Sequence, residues 1–261
     1  MVVSSCPPNA VGGSPTLSNT VIAMTIDAVR TERRDGGVLI CHIDDGKANA
    51  LSVDIIAGVT AAIDEAESDD EISSLVLHGR EGKFSAGFDL TVMRGGDIAA
   101  MSNLVSDGGD LVRRIYGSDV PVIAACTGHA LAAGALLLLG CDVRIGADVP
   151  CKIGLNEVAI GMVLPDWAFT IATARLSNRH LQRSVATARV TDAAAAVDVG
   201  YLDSVVSVDE VLDAAVATAA EMAALDARAY RGTLRKLRSA VLDQMATEIA
   251  ADRAAGAVPT I

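Results

Sequence analysis

Two stretches of the chain concentrate small residues: Lys83-Phe84-Ser85-Ala86-Gly87-Phe88-Asp89-Leu90 and Thr127-Gly128-His129-Ala130-Leu131-Ala132-Ala133-Gly134. Each is typical of a turn from a strand into a helix, where the first N–H groups of the helix have no partner within it. The helix dipole makes this end positive. Two such turns facing one another would form an oxyanion hole. Small residues also allow a turn to pack closely against its neighbours. The spacing alone favours this interpretation over an oxyanion hole.

Around these two stretches, short apolar strands alternate with helices. The pattern predicts strands at residues 21–30, 37–43, 75–77, 121–126 and 142–147, a loop at 79–89, and helices from residue 52, within 98–116 and at 132–139. The charged segment 31–36 joins the first two strands and predicts a hairpin. The alternation implies an α/β fold with a mixed, largely parallel sheet. From Pro165 onward the pattern is almost wholly helical, with a turn at Gly200-Tyr201 and a long helix after Val208.

The composition is that of a globular protein with an aliphatic core. The chain has 261 residues, a length that allows one large domain or two small ones, and 51% of them are hydrophobic. A net charge of -12 repels phosphate backbones and anionic lipids, and an aromatic content of 3% leaves few rings to stack on bases. We therefore expect neither a nucleic acid nor a membrane as a partner. The uncharged segment 122–141 contains a polar turn and has acidic flanks, which favours a buried strand and helix over a membrane span.

The cysteines and histidines show no pattern of a disulfide framework or of a metal site. The 5 cysteines are scattered and form no CxxC pair, which predicts reduced, buried thiols and a cytoplasmic location. The 4 histidines show no HxxxH spacing, so we expect no metal. Residues 1–20 lack the basic and apolar regions of a secretory signal, and their Pro, Gly and Ser content predicts a disordered leader.

Four blocks of the chain together resemble one family, the crotonases, which comprise the enoyl-CoA hydratases and isomerases. The blocks are KANALS (47–52), FSAGFDL (84–90), GHALAAGAL with a later CD (128–136 and 141–142), and NEVAIG with a later proline (156–161 and 165). The resemblance implies the crotonase-like (ClpP/crotonase) spiral fold of ββα units, with a core at 21–200 and a helical trimerisation region at 201–261. It also implies a homotrimer or a dimer of trimers.

The resemblance further implies a substrate, an acyl group held as a coenzyme A thioester, and no cofactor beyond that coenzyme A moiety. In the family, two backbone N–H groups hold the thioester carbonyl and stabilise the enolate that forms when a proton leaves the α-carbon. These groups match Phe88 and Ala133, where the family usually has Ala and Gly. Alanine keeps the N–H, and the Phe88 ring is suited to pack against acyl or pantetheine carbons. Trp167 suits either the acyl pocket or the core.

Coenzyme A contacts are implied at the loop before the first helix and beside the first turn. Lys47 and Ala48 match the family's loop on the adenine side. Lys83 precedes the first turn, and Ala86 and Gly87 lie within it. The resemblance therefore implies that these residues bind the coenzyme A part of the substrate.

The family's hydratases use two glutamates, and this chain retains the second. It matches Glu157, whose apolar neighbours are expected to raise its pKa, while the first falls on Leu136. One carboxylate can take a proton from C2 of a 3-enoyl thioester and return it to C4, so the pattern favours double-bond isomerisation over hydration. Asp166 lies near the position of a second acid in one branch of the family. It equally suits the first turn of a helix.

Other functions stay open at this point. A hydratase proper, with Asp166 helping to place water, is the alternative reaction. A non-catalytic member that only holds acyl-CoA is compatible with Leu136, but the retained Glu157 argues against it. A hydrolase built on Ser85 and His129 lacks an acid to orient the histidine.

Overall fold

Two sheets form the framework of the fold, and the structure, a computed structural model, describes residues 28–256. The strands are β1 (Val29–Arg34), β2 (Val38–Ile43), β3 (Ser74–Gly79), β4 (Gly82–Ser85), β5 (Val122–Cys126), β6 (Gly128–Leu131), β7 (Val143–Ala147), β8 (Ile153–Gly154) and β9 (Ser204–Val206). The helices are α1 (Val53–Ser68), α2 (Leu90–Met93), α3 (Ile98–Tyr116), α4 (Ala133–Gly140), α5 (Asp166–Arg175), α6 (Asn178–Ala186), α7 (Ala193–Val199), α8 (Val211–Ala223) and α9 (Ala227–Ala255).

The larger sheet has six strands in the order β1-β2-β3-β5-β7-β9. β1 is antiparallel to β2, and the remaining pairs are parallel. Parallel strands need cover on both faces, so their sequences are apolar throughout. In β2, Leu39 and Cys41 enter one core cluster, while Val38 and Ile40 enter a second cluster that helix α8 covers. The predicted α/β class with a helical C-terminal region matches this architecture.

The smaller sheet has three parallel strands in the order β4-β6-β8. It carries both small-residue stretches, because the turn after β4 leads into α2 and the turn after β6 leads into α4. Helix α4 is buried along its whole length, which explains the uncharged segment 122–141 as buried strand and helix. No helix within the described part of the chain has the length and apolarity needed to cross a bilayer.

Several predicted elements are confirmed with nearly the expected bounds. The strands predicted at 75–77, 121–126 and 142–147 correspond to β3, β5 and β7. The helices predicted from 52, within 98–116 and at 132–139 correspond to α1, α3 and α4. Ser52 caps α1 by accepting the N–H of Ile55, and Asp97 caps α3 by accepting that of Ala100. Long periodic or strongly apolar segments were therefore read correctly from the sequence.

The first hairpin differs from its prediction. β1 extends to Arg34, so most of segment 31–36, predicted as the turn, is strand, and the turn lies at 35–37. The charged side chains of this segment are compatible with an edge strand because they form ion pairs with neighbouring residues. Arg33 contacts Asp69 at 2.7 Å and Glu65 at 2.9 Å. Residues 21–27 of the predicted first strand, and the leader predicted at 1–20, lie outside the described residues.

The shortest strands were not predicted. β4 lies within the segment 79–89 that was predicted as a loop, and β9 lies in the C-terminal region that was predicted to be helical. Strands this short show no period, and turn-forming residues surround them. β4 and β6 also approach one another closely where Gly82 pairs with Gly128, since a Cβ on Gly128 would overlap the backbone of Gly82. The smaller sheet is therefore a product of tertiary packing.

The last helix, α9, is anchored to the core through Arg238. Its guanidinium donates to Asp142 at 2.6 Å and to the carbonyl of Tyr116 at 2.7 Å, and it lies 4.4 Å from the centre of the Tyr116 ring. Asp142 also accepts from the Tyr230 hydroxyl at 3.0 Å and from the N–H of Val122 at 2.7 Å. The side chains of Arg238 and Asp142 are each 6% exposed. The C-terminal helix is thus joined to the strands by a buried ion pair.

Replacing Arg238 with alanine is expected to lower the free energy of unfolding by about 3–5 kcal/mol, because Asp142 loses its cationic partner inside the protein. Arg235→Ala, one turn earlier in α9, is the matched control. Arg235 is 74% exposed and contacts Asp119 at 3.4 Å, so its loss is expected to cost less than about 1 kcal/mol. Urea unfolding followed by circular dichroism measures both values. Equal losses would contradict the anchoring role of Arg238.

Candidate active site

The loop between β2 and α1 is held against the first turn by the side chain of Asn49. The Asn49 amide nitrogen donates to the carbonyl of Ile43 at 2.7 Å, and it lies 3.3 Å from the Lys83 carbonyl and 3.4 Å from that of Phe84. Its amide oxygen accepts the N–H of Asp45 at 3.0 Å. Asn49 is fully buried and has a φ of 51°, a conformation that asparagine tolerates better than most residues. One side chain therefore joins the end of β2 to β4.

The first turn, at residues 86–89, leaves one amide free. The N–H of Ala86 donates to the carbonyl of Ala48 at 3.1 Å, and that of Asp89 donates to the carbonyl of Leu51 at 3.2 Å. The N–H of Gly87 donates to the Ser85 hydroxyl oxygen at 3.3 Å. Within residues 28–256, the N–H of Phe88 has no hydrogen-bond partner. The neighbouring hydrogen bonds hold this donor in a fixed direction.

The second turn leaves the N–H of Ala133 free in the same way. Ala133 is the first residue of α4, and no described residue accepts its N–H. The preceding Ala132 donates to the carbonyl of Gly154 at 3.0 Å. Ala132 has φ 50° and ψ -124°, a conformation that favours glycine and costs a residue with a side chain about 1–3 kcal/mol. The chain accepts backbone strain at the position where α4 begins.

The two turns lie in direct contact. A Cβ on Gly87, whose φ is 92°, would lie 2.9 Å from the Cβ of Ala132 and 3.5 Å from the nitrogen of Ala133. A Cβ on Gly134 would lie 2.8 Å from the Cβ of Ser85. Glycine is required at both positions because a side chain would push the turns apart. The close packing of small-residue turns that the spacing favoured is therefore present, and it brings the nitrogen of Ala133 close to Gly87, the residue before Phe88.

A cavity of about 170 Å³ lies beside these turns. It is lined by Ala86, Phe88, Leu90, Met93, Arg94, Val105, Ala132, Leu136, Asn156, Glu157, Ile160, Met162, Val163 and Pro165. Apart from Arg94, Asn156 and Glu157, the lining side chains are apolar. An apolar cavity with few polar groups is the usual form of a small-molecule site.

Glu157 contributes the one carboxylate of this lining. It follows β8 and begins a short 3₁₀ turn at Val158–Ile160, where its carbonyl accepts the N–H groups of Ile160 and Met162, each at 3.0 Å. The residue is 8% exposed, and its Oε2 atom is buried without a partner among the described residues. Burial raises the pKa of Glu157 to about 7. Such a carboxyl group exchanges a proton readily near neutral pH.

Leu136 occupies the position where the family resemblance places a first glutamate. It lies on α4 one turn after Ala133, is 1% exposed and lines the cavity. Its neighbours in α4 are all buried and apolar. The cavity wall is therefore hydrocarbon at this point.

Asp166 lies apart from the cavity lining. It begins α5 as an exposed residue. Its charge acts instead on Asp252 of α9, whose pKa is raised by burial and by the charges of Asp166 and Glu248. The structure thus supports the helix-start interpretation of Asp166 and does not bring it together with Glu157.

The residues considered for coenzyme A lie on the outer side of the first turn. Lys47 is exposed and Lys83 is half-buried, and neither lines the cavity. The carbonyl of Ala48 accepts the N–H of Ala86, which does line the cavity. The 44–50 loop therefore contacts the cavity lining through Ala48, while the two lysines are not part of that lining.

The serine and histidine considered for a hydrolase are engaged elsewhere. The Ser85 hydroxyl donates to the carbonyl of Asn49 at 2.7 Å. Nδ1 of His129 accepts the N–H of Lys152 at 2.9 Å. Trp167, considered for the acyl pocket, is fully buried and does not line the cavity. No group of three or more His, Cys, Asp or Glu side chains in the described ranges is arranged to hold a metal ion.

Two functional candidates were missed in the sequence. Asn49 stood within the block at 47–52 without a role, and its positive φ is not visible in the sequence. Asn156 lines the cavity, and its Oδ1 atom is buried without a partner in the described part of the chain. Its position directly before Glu157 was the available signal. An unpaired acceptor beside the carboxyl group is suited to a hydrogen bond from bound substrate or water.

The sequence is similar to known enzymes. It matches the family model described as enoyl-CoA hydratase/isomerase over residues 33–256. The human "Enoyl-CoA delta isomerase 1, mitochondrial" is 30% identical over 219 residues, which are 83% of this chain and 72% of the human protein. "Probable enoyl-CoA hydratase echA17" of Mycobacterium avium is 34% identical over 189 residues, which are 71% of this chain and 72% of that protein.

The fold is similar to solved structures of the same group. An enoyl-CoA hydratase/isomerase family protein from Pseudomonas syringae superimposes with a TM-score of 0.83 at 40% identity, covering 87% of this chain and 97% of that one. Human mitochondrial delta3-delta2-enoyl-CoA isomerase gives a TM-score of 0.84 at 29% identity, covering 88% and 90%. The crotonase-like fold expected from the four sequence blocks is confirmed.

Glu157 makes the stability of the fold depend on pH. Its pKa is about 7 in the fold, against an ordinary value of 4.5. Between these values the unfolded chain has lost the proton while the folded protein keeps it, so stability falls as the pH rises and the fall is complete above pH 7. The total loss is about 3 kcal/mol.

Glu157→Gln removes this dependence, so the variant is expected to be more stable than the native protein by about 3 kcal/mol at pH 8, and by progressively less toward pH 5. Denaturant unfolding across this pH range measures the difference. Glu221→Gln, at an exposed position of α8, is the control and should differ from the native protein by a constant amount. A stability difference for Glu157→Gln that does not grow with pH would contradict the buried, protonated carboxyl group.

Proposed function

The chain belongs to the enoyl-CoA hydratase/isomerase family, as an enzyme of acyl-CoA metabolism, and we propose that it moves the double bond of a 3-enoyl-CoA thioester to the 2-position. One observation carries the proposal. Glu157 is the one carboxyl group in the lining of the apolar cavity that Phe88 and Leu136 also line, and its buried Oε2 atom has no partner among the described residues. The name of the human relative, an enoyl-CoA delta isomerase, supports the same reaction.

The free N–H groups of Phe88 and Ala133 are proposed to hold the thioester oxygen. When the α-proton leaves, negative charge collects on this oxygen, and two fixed donors stabilise it more strongly than they stabilise the neutral carbonyl. Removing one such donor typically costs about 3–4 kcal/mol of transition-state stabilisation. The contact between the two turns supports this role, because it fixes the spacing of the donors.

Glu157 is proposed to carry the proton. Its carboxylate removes a proton from C2 of the 3-enoyl thioester, the electron pair passes into the dienolate, and the same proton returns from the carboxyl group to C4. The product is the 2-enoyl thioester, and the enzyme ends in its starting state. A pKa of about 7 suits both halves of this cycle, since the group must accept and donate a proton with similar ease.

Leu136 is the reason for preferring isomerisation to hydration. Hydration needs a group that holds and activates water while another protonates carbon, and the cavity lining contains one carboxylate. The hydratase alternative rests on the relatives that are named as probable hydratases. Asp166 lends it little support because it does not line the cavity.

The remaining parts of the proposal concern binding and assembly. Lys47, Ala48 and Lys83 are proposed to contact coenzyme A, with Ala86 and Gly87 beside the thioester and no further cofactor. Region 201–261 is proposed to form a homotrimer or a dimer of trimers. A cytoplasmic location is proposed on the four free cysteines in the described residues: Cys41, Cys126, Cys141 and Cys151.

The native protein is expected to convert 3-enoyl-CoA to 2-enoyl-CoA, with kcat/KM rising with pH through about pH 7 as Glu157 ionises. Glu157→Gln is expected to lower kcat by about 10²–10⁴-fold because the proton carrier is lost. Glu221→Gln on the exposed side of α8 should keep the native rate and pH profile. Turnover that persists in Glu157→Gln would exclude Glu157 as the base.

Leu136→Glu places a second carboxyl group in the cavity and is expected to give measurable hydration of crotonyl-CoA, which the native protein hydrates slowly or not at all. The substitution buries a charge, so thermal unfolding is measured alongside, and Leu136→Gln controls for polarity without ionisation. Rapid hydration of crotonyl-CoA by the native protein would show instead that one carboxylate is sufficient here.

A further inference from the structure

Helix α3 contains two adjacent glycines, Gly108 and Gly109, in its interior. Glycine inside a helix costs about 1 kcal/mol relative to alanine, so two in succession need a compensating contact. Both are buried. In each case an aromatic ring fills the space that a Cβ would occupy.

Gly108 accommodates the ring of Phe88. A Cβ on Gly108 would lie 2.6 Å from Cζ of Phe88 and closer still to its Cε1 atom. The same ring lines the cavity that contains Glu157. Phe88 is therefore held between α3 on one side and the cavity on the other. Its position depends on the missing side chain at 108, since any Cβ there would push the ring toward the cavity.

Gly109 serves a different ring, away from the cavity. A Cβ on Gly109 would lie 2.9 Å from Cε2 of Trp167 and 3.0 Å from Cγ1 of Ile249. Trp167 and Ile249 are both fully buried core residues, and neither lines the cavity. Of the two neighbouring glycines, Gly108 therefore contacts a ring that lines the cavity, and Gly109 contacts residues of the core.

The volume of the cavity limits what it can hold. It measures about 170 Å³, and a dry apolar cavity of about 150 Å³ takes up one molecule of benzene, a ring of six carbon atoms. Leu136 forms another part of the cavity wall and is buried among the other apolar residues of α4. An acyl chain much longer than this exceeds the space between the walls of the cavity, and the Phe88 ring is one of those walls.

We propose that the Phe88 ring, seated on Gly108, is the wall that sets acyl-chain length, and that the preferred substrates are thioesters of short acyl chains. The direction of the acyl chain into this cavity rests on the proposed function. Phe88 acts here through its side chain, separately from its backbone N–H. Gly108 is a positioning residue, because it acts only through the ring.

The test compares kcat/KM for a series of 3-enoyl-CoA substrates from 3-hexenoyl to 3-dodecenoyl. Phe88→Ala removes the wall and is expected to raise the ratio of dodecenoyl to hexenoyl turnover by at least about tenfold, since one methylene in an apolar pocket is worth about 10–200-fold. Gly108→Ala pushes the ring inward and is expected to lower the same ratio. Gly109→Ala is the matched control and should leave the ratio at the native value.

Thermal unfolding and binding measurements distinguish a failure of the proposed wall from misfolding of a variant and from a failure of the proposed reaction. Thermal unfolding checks that each variant folds, and Phe88→Leu replaces Phe88→Ala if the latter does not. A native ratio in both Phe88 variants, or equal ratios in Gly108→Ala and Gly109→Ala, would overturn the proposal. If the native protein turns over no 3-enoyl-CoA of any length, the proposed function fails. The wall is then tested by the dissociation constants of hexanoyl-CoA and dodecanoyl-CoA, with the same shifts expected.

Discussion

The buried side chain of Asn49 is the contact on which the geometry of the site depends. It hydrogen bonds at once to the end of β2, to its own loop and to the end of β4. The Asn49 carbonyl also accepts the Ser85 hydroxyl, whose oxygen in turn accepts the N–H of Gly87. The direction of the Phe88 amide follows from these bonds. An amide with two donors and one acceptor group can satisfy this many partners, which few other side chains of this size can do.

The site retains several arrangements that lower the stability of the fold. Two amides and the Oε2 atom of Glu157 are without partners in the described residues, and Ala132 adopts a backbone conformation suited to glycine. Each is unfavourable in the absence of a ligand. Phe88, Ala132 and Glu157 line one cavity, and the Ala133 amide directly follows Ala132 in the chain. Instability concentrated in one place is expected where binding groups are held ready for a substrate.

Neighbouring small residues in this chain serve different purposes that only their contacts distinguish. Gly87 and Gly134 let two turns touch, Gly128 lets β6 approach β4, and Gly108 seats a ring that lines the cavity. Gly109, beside the last of these, seats a ring of the core. Two of the few aromatic rings of the sequence, those of Phe88 and Trp167, thus occupy positions where a neighbouring side chain is missing.

Much of the fold and part of the site followed from the order of residues alone. Helices α1, α3 and α4 and strands β3, β5 and β7 were predictable because burial imposes a period or an apolar run along the chain. Glu157 and Leu136 were singled out from the motifs that the chain shares with its family, and both line the cavity. The strands of the smaller sheet, the role of Asn49 and the placement of Asp166 outside the cavity became visible only in three dimensions. They depend on contacts between residues far apart in the chain, which local periodicity does not encode.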